Sequence, residues 1–195
     1  MKKVFVANED FGTIIPDLKI NGKEAPYPVV NDRAVRSTAG LMLLVGTITF
    51  FITFYTQDFT LFRYVIITFF IDFLLKFFKG PSKSIYGFFG RKFVSNQKPE
   101  FVGAIQKRFA WGIGLAVSST IMILIFGMKM ENNIPLILCA ICLFMMWLES
   151  TMGICVGCHI YNWLINIGLI KRPKFHPACP GGVCETDDVE MIEMH

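Results

Sequence analysis

Residues 38–78 read TAGLMLLVGTITFFITFYTQDFTLFRYVIITFFIDFLLKFF. The run from Thr38 to Thr56 carries no charge. It is long enough, at about 1.5 Å per helical residue, to cross most of a hydrocarbon layer about 30 Å thick. Gln57 and Asp58 alone separate it from a second apolar run at Phe59–Phe78. Two spans with so short a link form an antiparallel helical hairpin. β-Branched and aromatic residues are frequent in both, which a bilayer tolerates because a helix satisfies its own backbone there.

Working outward, a third apolar span is expected at Phe109–Met128, and a fourth begins at Ile134 after the short link Lys129–Asn133. The composition agrees: 53% of the 195 residues are hydrophobic, 17% are charged, and there are 20 phenylalanines. The fold class is therefore all-α, a polytopic membrane helix bundle of about four transmembrane helices with the lipid bilayer as its surroundings. The net charge of +4 comes from basic loops and points to no nucleic-acid partner. Lys2 and Lys3 could open a leader, but Asn8, Glu9 and Asp10 interrupt what should be its apolar region. The first span is therefore expected to serve as both signal and anchor.

Three regions follow. Residues 1–36 form a polar cytoplasmic arm, broken by Pro16, Pro26 and Pro28, with a small extended piece around Val4–Val6. Residues 37–170 form the bundle, including a basic interfacial loop at 79–108. Residues 171–195 form an acidic, cysteine-containing cytoplasmic tail. Orientation rests on the basic residues. Lys79, Lys83, Arg91, Lys92, Lys98, Lys107 and Arg108 crowd the middle loop, while Arg33 and Arg36 precede span one and Lys171, Arg172 and Lys174 follow the last apolar run. The positive-inside rule puts all of these in the cytoplasm. Phenylalanines and Tyr86 interleave with the cations of the middle loop, a composition suited to the headgroup layer. The run from Ile134 to Ile170 reads either as one span ending near Gly153 plus an interfacial segment, or as two spans. The second would export Lys171, Arg172 and Lys174, so the charge rule favours the first.

Ionisable groups inside a membrane are functional candidates. Asp72 lies about two turns inside span two, and Glu149 lies near the end of span four. Arg33, Arg36 and Arg108 approach the same face and form, with these acids, a candidate substrate-binding set. The alternative is a set of buried ion pairs that fix helix packing.

Six cysteines occur as three close pairs. Cys155-x-x-Cys158, flanked by Gly153 and Gly157, places two thiols on one helical turn and suits disulfide or persulfide exchange, or half of a metal site. These are the candidate catalytic residues, expected at or just below the cytoplasmic surface. The alternative reading is two small residues used for helix packing. Cys179 and Cys184 follow in a Pro/Gly turn and could fold back as further thiol ligands for zinc, copper(I) or an iron–sulfur cluster. Cys139 and Cys142 sit within an apolar helix, where cysteines behave as small hydrophobes; the alternative is a disulfide-generating membrane enzyme with a quinone, a scheme that calls for a further external cysteine pair as relay, which no external link here contains. No cofactor is specified by a motif.

Asn31-Asp-Arg33, Lys107-Arg108-Phe109-Ala110 and the glycine-flanked Cys155-x-x-Cys158 with Tyr161 occur in that order. Together they resemble, over about residues 26–165, a family of small bacterial membrane proteins known only as a domain of unknown function. The resemblance implies a bacterial inner-membrane location and supplies no activity. By analogy, such proteins accompany thioredoxin- or rhodanese-like partners. The leading expectation is thiol redox or sulfane-sulfur handling, with the arginines depressing a thiol pKa or holding a small anion. The other expectations are a non-enzymatic subunit docking a partner through its basic loop and tail, and a small-anion or metal transporter. Four short helices offer little room for transport without oligomerisation.

Overall fold

The computed structural model describes residues 27–169 continuously, and Gly12, Ile14, Ile15, Lys19, Ile20, Lys23 and Glu24 before them. The piece expected around Val4–Val6 and the whole tail from residue 170 lie outside the described residues.

Among the described residues, six α-helices carry the fold. Asn31 caps α1 (Asp32–Thr56), its side chain accepting from the Arg33 amide. Gln57 ends it in a left-handed conformation and returns its amide to Thr53. Asp58 then accepts from the Thr60 amide, and α2 (Thr60–Lys79) runs back beside α1. After a tight turn at Pro81–Lys83, the short α3 (Ile85–Phe93) folds against α1. Next, α4 (Ala104–Met122) widens into a π-type turn at Ile123–Gly127, and α5 (Asn133–Trp147) does the same at Leu148–Met152. Last among the described helices is α6 (Val156–Asn166). Helices α1, α2, α4 and α5 make the bundle, with α3 laid on α1 and α6 laid on α4.

Strand pairs β1 (Lys19–Ile20) with β2 (Lys23–Glu24), and β3 (Val29–Asn31) with β4 (Phe101–Gly103), are both antiparallel. The second ribbon positions the site. Val30 faces Val102 across it, and the Asp32 amide donates to the Glu100 carbonyl at 2.6 Å. Each strand runs directly into a helix, β3 into α1 and β4 into α4. The first turns of those helices are thereby held side by side at one end of the bundle, the ribbon end.

Among the described residues, three segments, Asp32–Thr56, Ala104–Gly127 and Asn133–Met152, are long and apolar enough to cross a membrane. In the most apolar stretch of α1 only 33% of the residues are buried within the protein. The remainder face outward, a distribution suited to lipid. Leu44, Ile48, Phe51, Ile137, Ile141 and Phe144 belong to that outward surface. The chain is thus a multi-pass membrane protein in its helices. With 20 residues, α2 has the length to span, but it carries Arg63, Asp72 and Lys76.

Two expected boundaries move. The first helix starts at Asp32, not Thr38, and the third at Ala104, not Phe109. The reason is the same in both: charged residues left outside the expected spans, Asp32 and Lys107, are buried inside the first helical turns. The middle segment is also more ordered than a loop, containing α3 and β4. The run after Ile134 holds one helix of spanning length. Its sequel α6, with 11 residues and about 16 Å of length, is too short to cross.

The interior divides into two apolar clusters. Near the ribbon end, Val29, Val35, Met42, Phe73, Val102, Trp111 and Met146 pack together. Toward the other end, Phe59, Phe62, Ile66, Ile121, Leu136 and Leu143 do so. There Arg63 of α2 pairs with Glu131 in the α4–α5 link, with both side chains well exposed. Such a pair is worth about 1 kcal/mol or less. Glu131→Ala is therefore expected to leave the thermal unfolding midpoint in detergent within a few degrees of the parent; a large drop would mean that the pair clamps the outer links.

Candidate functional site

The ribbon juxtaposes the first turns of α1 and α4, and the consequence is a buried triad. Lys107 Nζ lies 2.7 Å from Asp32 Oδ1 and 2.8 Å from Glu149 Oε1. Lys107 and Asp32 are almost wholly buried, and Glu149 is largely so. A single ammonium thus joins α1, α4 and the end of α5. Compensation of the buried charges is what makes their burial tolerable.

A second ionic cluster lies in α2. Lys76 Nζ is 2.6 Å from Asp72 Oδ2, one helical turn away. Asp72 also accepts from Ser84 Oγ at 2.6 Å and from the Tyr86 amide at 3.0 Å, which ties the start of α3 to the middle of α2. The basic partner of Asp72 is therefore Lys76 of its own helix, not an arginine from another.

The cysteine segment begins where α5 ends. Gly153 adopts a left-handed conformation (φ 70°), and a Cβ there would sit 3.1 Å from the Arg36 guanidinium carbon. The left-handed backbone favours glycine at this turn, and any side chain there would push the Arg36 guanidinium aside. Cys155 follows as the N-cap of α6 and is joined to Cys158 by a disulfide. Its Sγ also accepts from the Cys158 amide at 3.3 Å. Gly157 lets α6 touch α4: a Cβ would lie 2.6 Å from Ala110 Cβ. One turn on, Tyr161 packs its ring on Phe109 at 5.4 Å, and Gln106 Nε2 donates to Asn162 Oδ1 at 3.2 Å. Burial raises the Tyr161 phenol above its ordinary pKa, so it stays neutral and serves as a packing group.

This packing buries both sulfurs. Cys155 is 2% exposed and Cys158 1%. Cys155 instead borders a cavity of about 210 Å³ between α4, α5 and α6, shared with Trp111, Gly114, Cys142, Met145 and Glu149. Glu149 also lines a smaller adjacent cavity with Lys76 and Met42.

The three arginines do not converge on one site: Arg33 and Arg36 line one open cleft with Glu100 and Thr151, and Arg108 is not among its lining residues. Arg33 pairs with Glu100 at 2.5 Å. Arg108 donates to the Phe77 carbonyl at 3.2 Å and lies over the Phe77 ring. Arg36 reaches the cysteine segment, with its guanidinium against Gly153 and a long contact to the Thr151 carbonyl. Cys139 and Cys142 are free thiols in α5. Cys179 and Cys184 lie outside the described residues. Among the described residues, no group of three or more His, Cys, Asp or Glu is placed to hold a metal ion.

Sequence reasoning missed Asp32, Lys76 and Lys107 as interior partners. The spacing Asp72–Lys76 was a readable signal for one pair. The triad had no such signal, because it depends on a ribbon between segments far apart in the chain.

A family model described as a domain of unknown function, DUF4395, matches residues 30–166. The match includes all of the second ribbon strand and all but Val29 of the first, together with the triad and the disulfide. No curated protein and no solved structure matches the chain.

Proposed function

From the premise that this chain belongs to the DUF4395 family, a family with no assigned activity, we propose that it is a thiol-redox protein of the bacterial cytoplasmic membrane, cycling Cys155 and Cys158 between disulfide and dithiol. The observation that carries the reading is the disulfide at the N-terminus of α6, with Cys155 in the capping position. There the sulfur accepts the Cys158 amide and faces the positive end of the helix dipole. The same environment favours a thiolate once the bond is reduced, and a thiolate is the species that exchanges.

The positive-inside rule puts this end of the bundle in the cytoplasm, where lasting structural disulfides are uncommon and transient catalytic ones are the usual kind. A thioredoxin-like protein is the partner class such chemistry calls for. Thiosulfate or persulfide handling has less support, since Arg33 and Arg108 are engaged with Glu100 and Phe77.

The test is a redox titration of the purified protein in detergent, followed by acid quench, alkylation with a small maleimide and peptide mass spectrometry. Cys155 and Cys158 are expected to become alkylatable together, as a two-electron couple, while Cys139 and Cys142 remain thiols throughout. Cys158→Ser should leave Cys155 permanently reduced. A pair that stays unreactive under strong reductant while the bundle is folded, or that never closes under oxidant, would assign these cysteines to packing.

A further inference from the structure

The thiol reading leaves open what removes electrons from the dithiol, and the cavity beside Cys155 addresses that question. Both sulfurs are closed off from the outer surface by the contact of α6 with α4. Cys155 nevertheless forms part of the wall of the 210 Å³ cavity. At its rim, Ile141, Met145 and Ile160 are exposed on the outward surface of α5 and α6. The mouth is therefore apolar, and in a membrane protein it faces acyl chains more readily than water. Inside, the wall is apolar and aromatic apart from Glu149 and the sulfurs of Cys142 and Cys155.

Resting on the thiol reading, we propose that this cavity binds the ring of a membrane quinone, which oxidises the Cys155–Cys158 dithiol. Ligand pockets commonly measure about 300–1,000 Å³, so this one suits a single ring, with the apolar tail left outside in lipid. Among lipid-soluble molecules the occupant must take two electrons, because the redox group in the wall is a two-electron couple. An acyl chain would fit the apolar surface but would give the buried disulfide nothing to react with.

The step balances without an outside donor. Two S–H bonds break and one S–S bond forms. The two electrons and two protons pass to the two quinone oxygens, giving a hydroquinone. Glu149, held by Lys107 at 2.8 Å and bordering the same cavity, is the carboxylate placed to relay a thiol proton.

The experiment uses the full chain in phosphatidylcholine nanodiscs. The protein is reduced with dithiothreitol, desalted without oxygen, and mixed with a decyl-tailed, fully ring-substituted benzoquinone, which cannot arylate thiols. Quinone absorbance and the alkylation state of each cysteine are followed together. One quinone is expected to be consumed per dithiol closed. Ile160→Trp and Met145→Trp, exposed rim positions where bulk narrows the mouth without entering the core, should slow this reaction by about tenfold or more, as misplacing a reactant does. Diamide, at excess, should still close the same dithiol completely in both variants. If diamide closes the pair and the quinone does not, the quinone proposal is wrong and the thiol reading survives. Equal quinone rates in parent and rim variants would also overturn it, since the reaction would then bypass the cavity. If neither oxidant closes the pair in the folded protein, the thiol reading itself fails.

Discussion

Lys107→Met is expected to strip most of the protein from the membrane fraction. Lys107 pairs with both Asp32 and Glu149, and all three groups are largely buried. Removing one member of a buried ion pair typically costs about 3–5 kcal/mol, because the partner is left charged and desolvated. Here two carboxylates lose their partner at once and then repel each other. Whole domains are stable by only about 5–15 kcal/mol, so the loss is comparable to the total. Immunoblotting of membranes and the aggregation temperature of detergent extracts would measure it. Adding Asp32→Asn and Glu149→Gln to Lys107→Met should restore much of the accumulation, since neutral groups carry a far smaller burial penalty. Parent-like levels of the single variant would mean that water reaches the triad.

The second large effect belongs to Asp72, where two substitutions separate charge from hydrogen bonding. Asp72→Leu strands the Lys76 ammonium and also removes the acceptor of Ser84 Oγ and the Tyr86 amide. Asp72→Asn keeps an acceptor oxygen and loses only the charge. The expected order of thermal stability in detergent is therefore parent, then Asn, then Leu. The gap between the last two should be about 1–3 kcal/mol, the penalty for orphaned buried donors. Asp72→Leu combined with Lys76→Leu should recover most of the charge contribution. If the single Leu variant matches the parent, the link from α2 to α3 is incidental.

The helices were legible because the bilayer imposes a simple rule: long uncharged runs must be helical, and their length is set by the hydrocarbon thickness. That rule reads apolar residues well and charged ones badly. It left Asp32 and Lys107 outside the spans, whereas each sits in the first buried turn of its helix. Glu149 and Asp72 were legible because a lone acid in an apolar run stands out. Their partners were not, since Lys76 drew no reading of its own and Lys107 looked like part of a basic loop. The Cys155–Cys158 pair was legible from spacing. Its burial was not, because it depends on Gly157 meeting Ala110, a contact between helices that periodicity does not encode.

The β3–β4 ribbon also imposes an order of events on the growing chain. Its first strand, Val29–Asn31, is made before any of the spanning helices, and its second, Phe101–Gly103, only after α2 and α3. Helices α1 and α2 can enter the membrane as a hairpin on their own, but Asp32 at the head of α1 must wait there without its cation. Lys107 arrives with the first turn of α4, directly behind the closing strand, and Glu149 arrives with the end of α5. The ribbon end of the bundle is therefore sealed late and in a fixed sequence. A nascent chain stalled before α4 holds an acid with no counter-charge, and one stalled before the end of α5 holds Lys107 with a single acid in place of two.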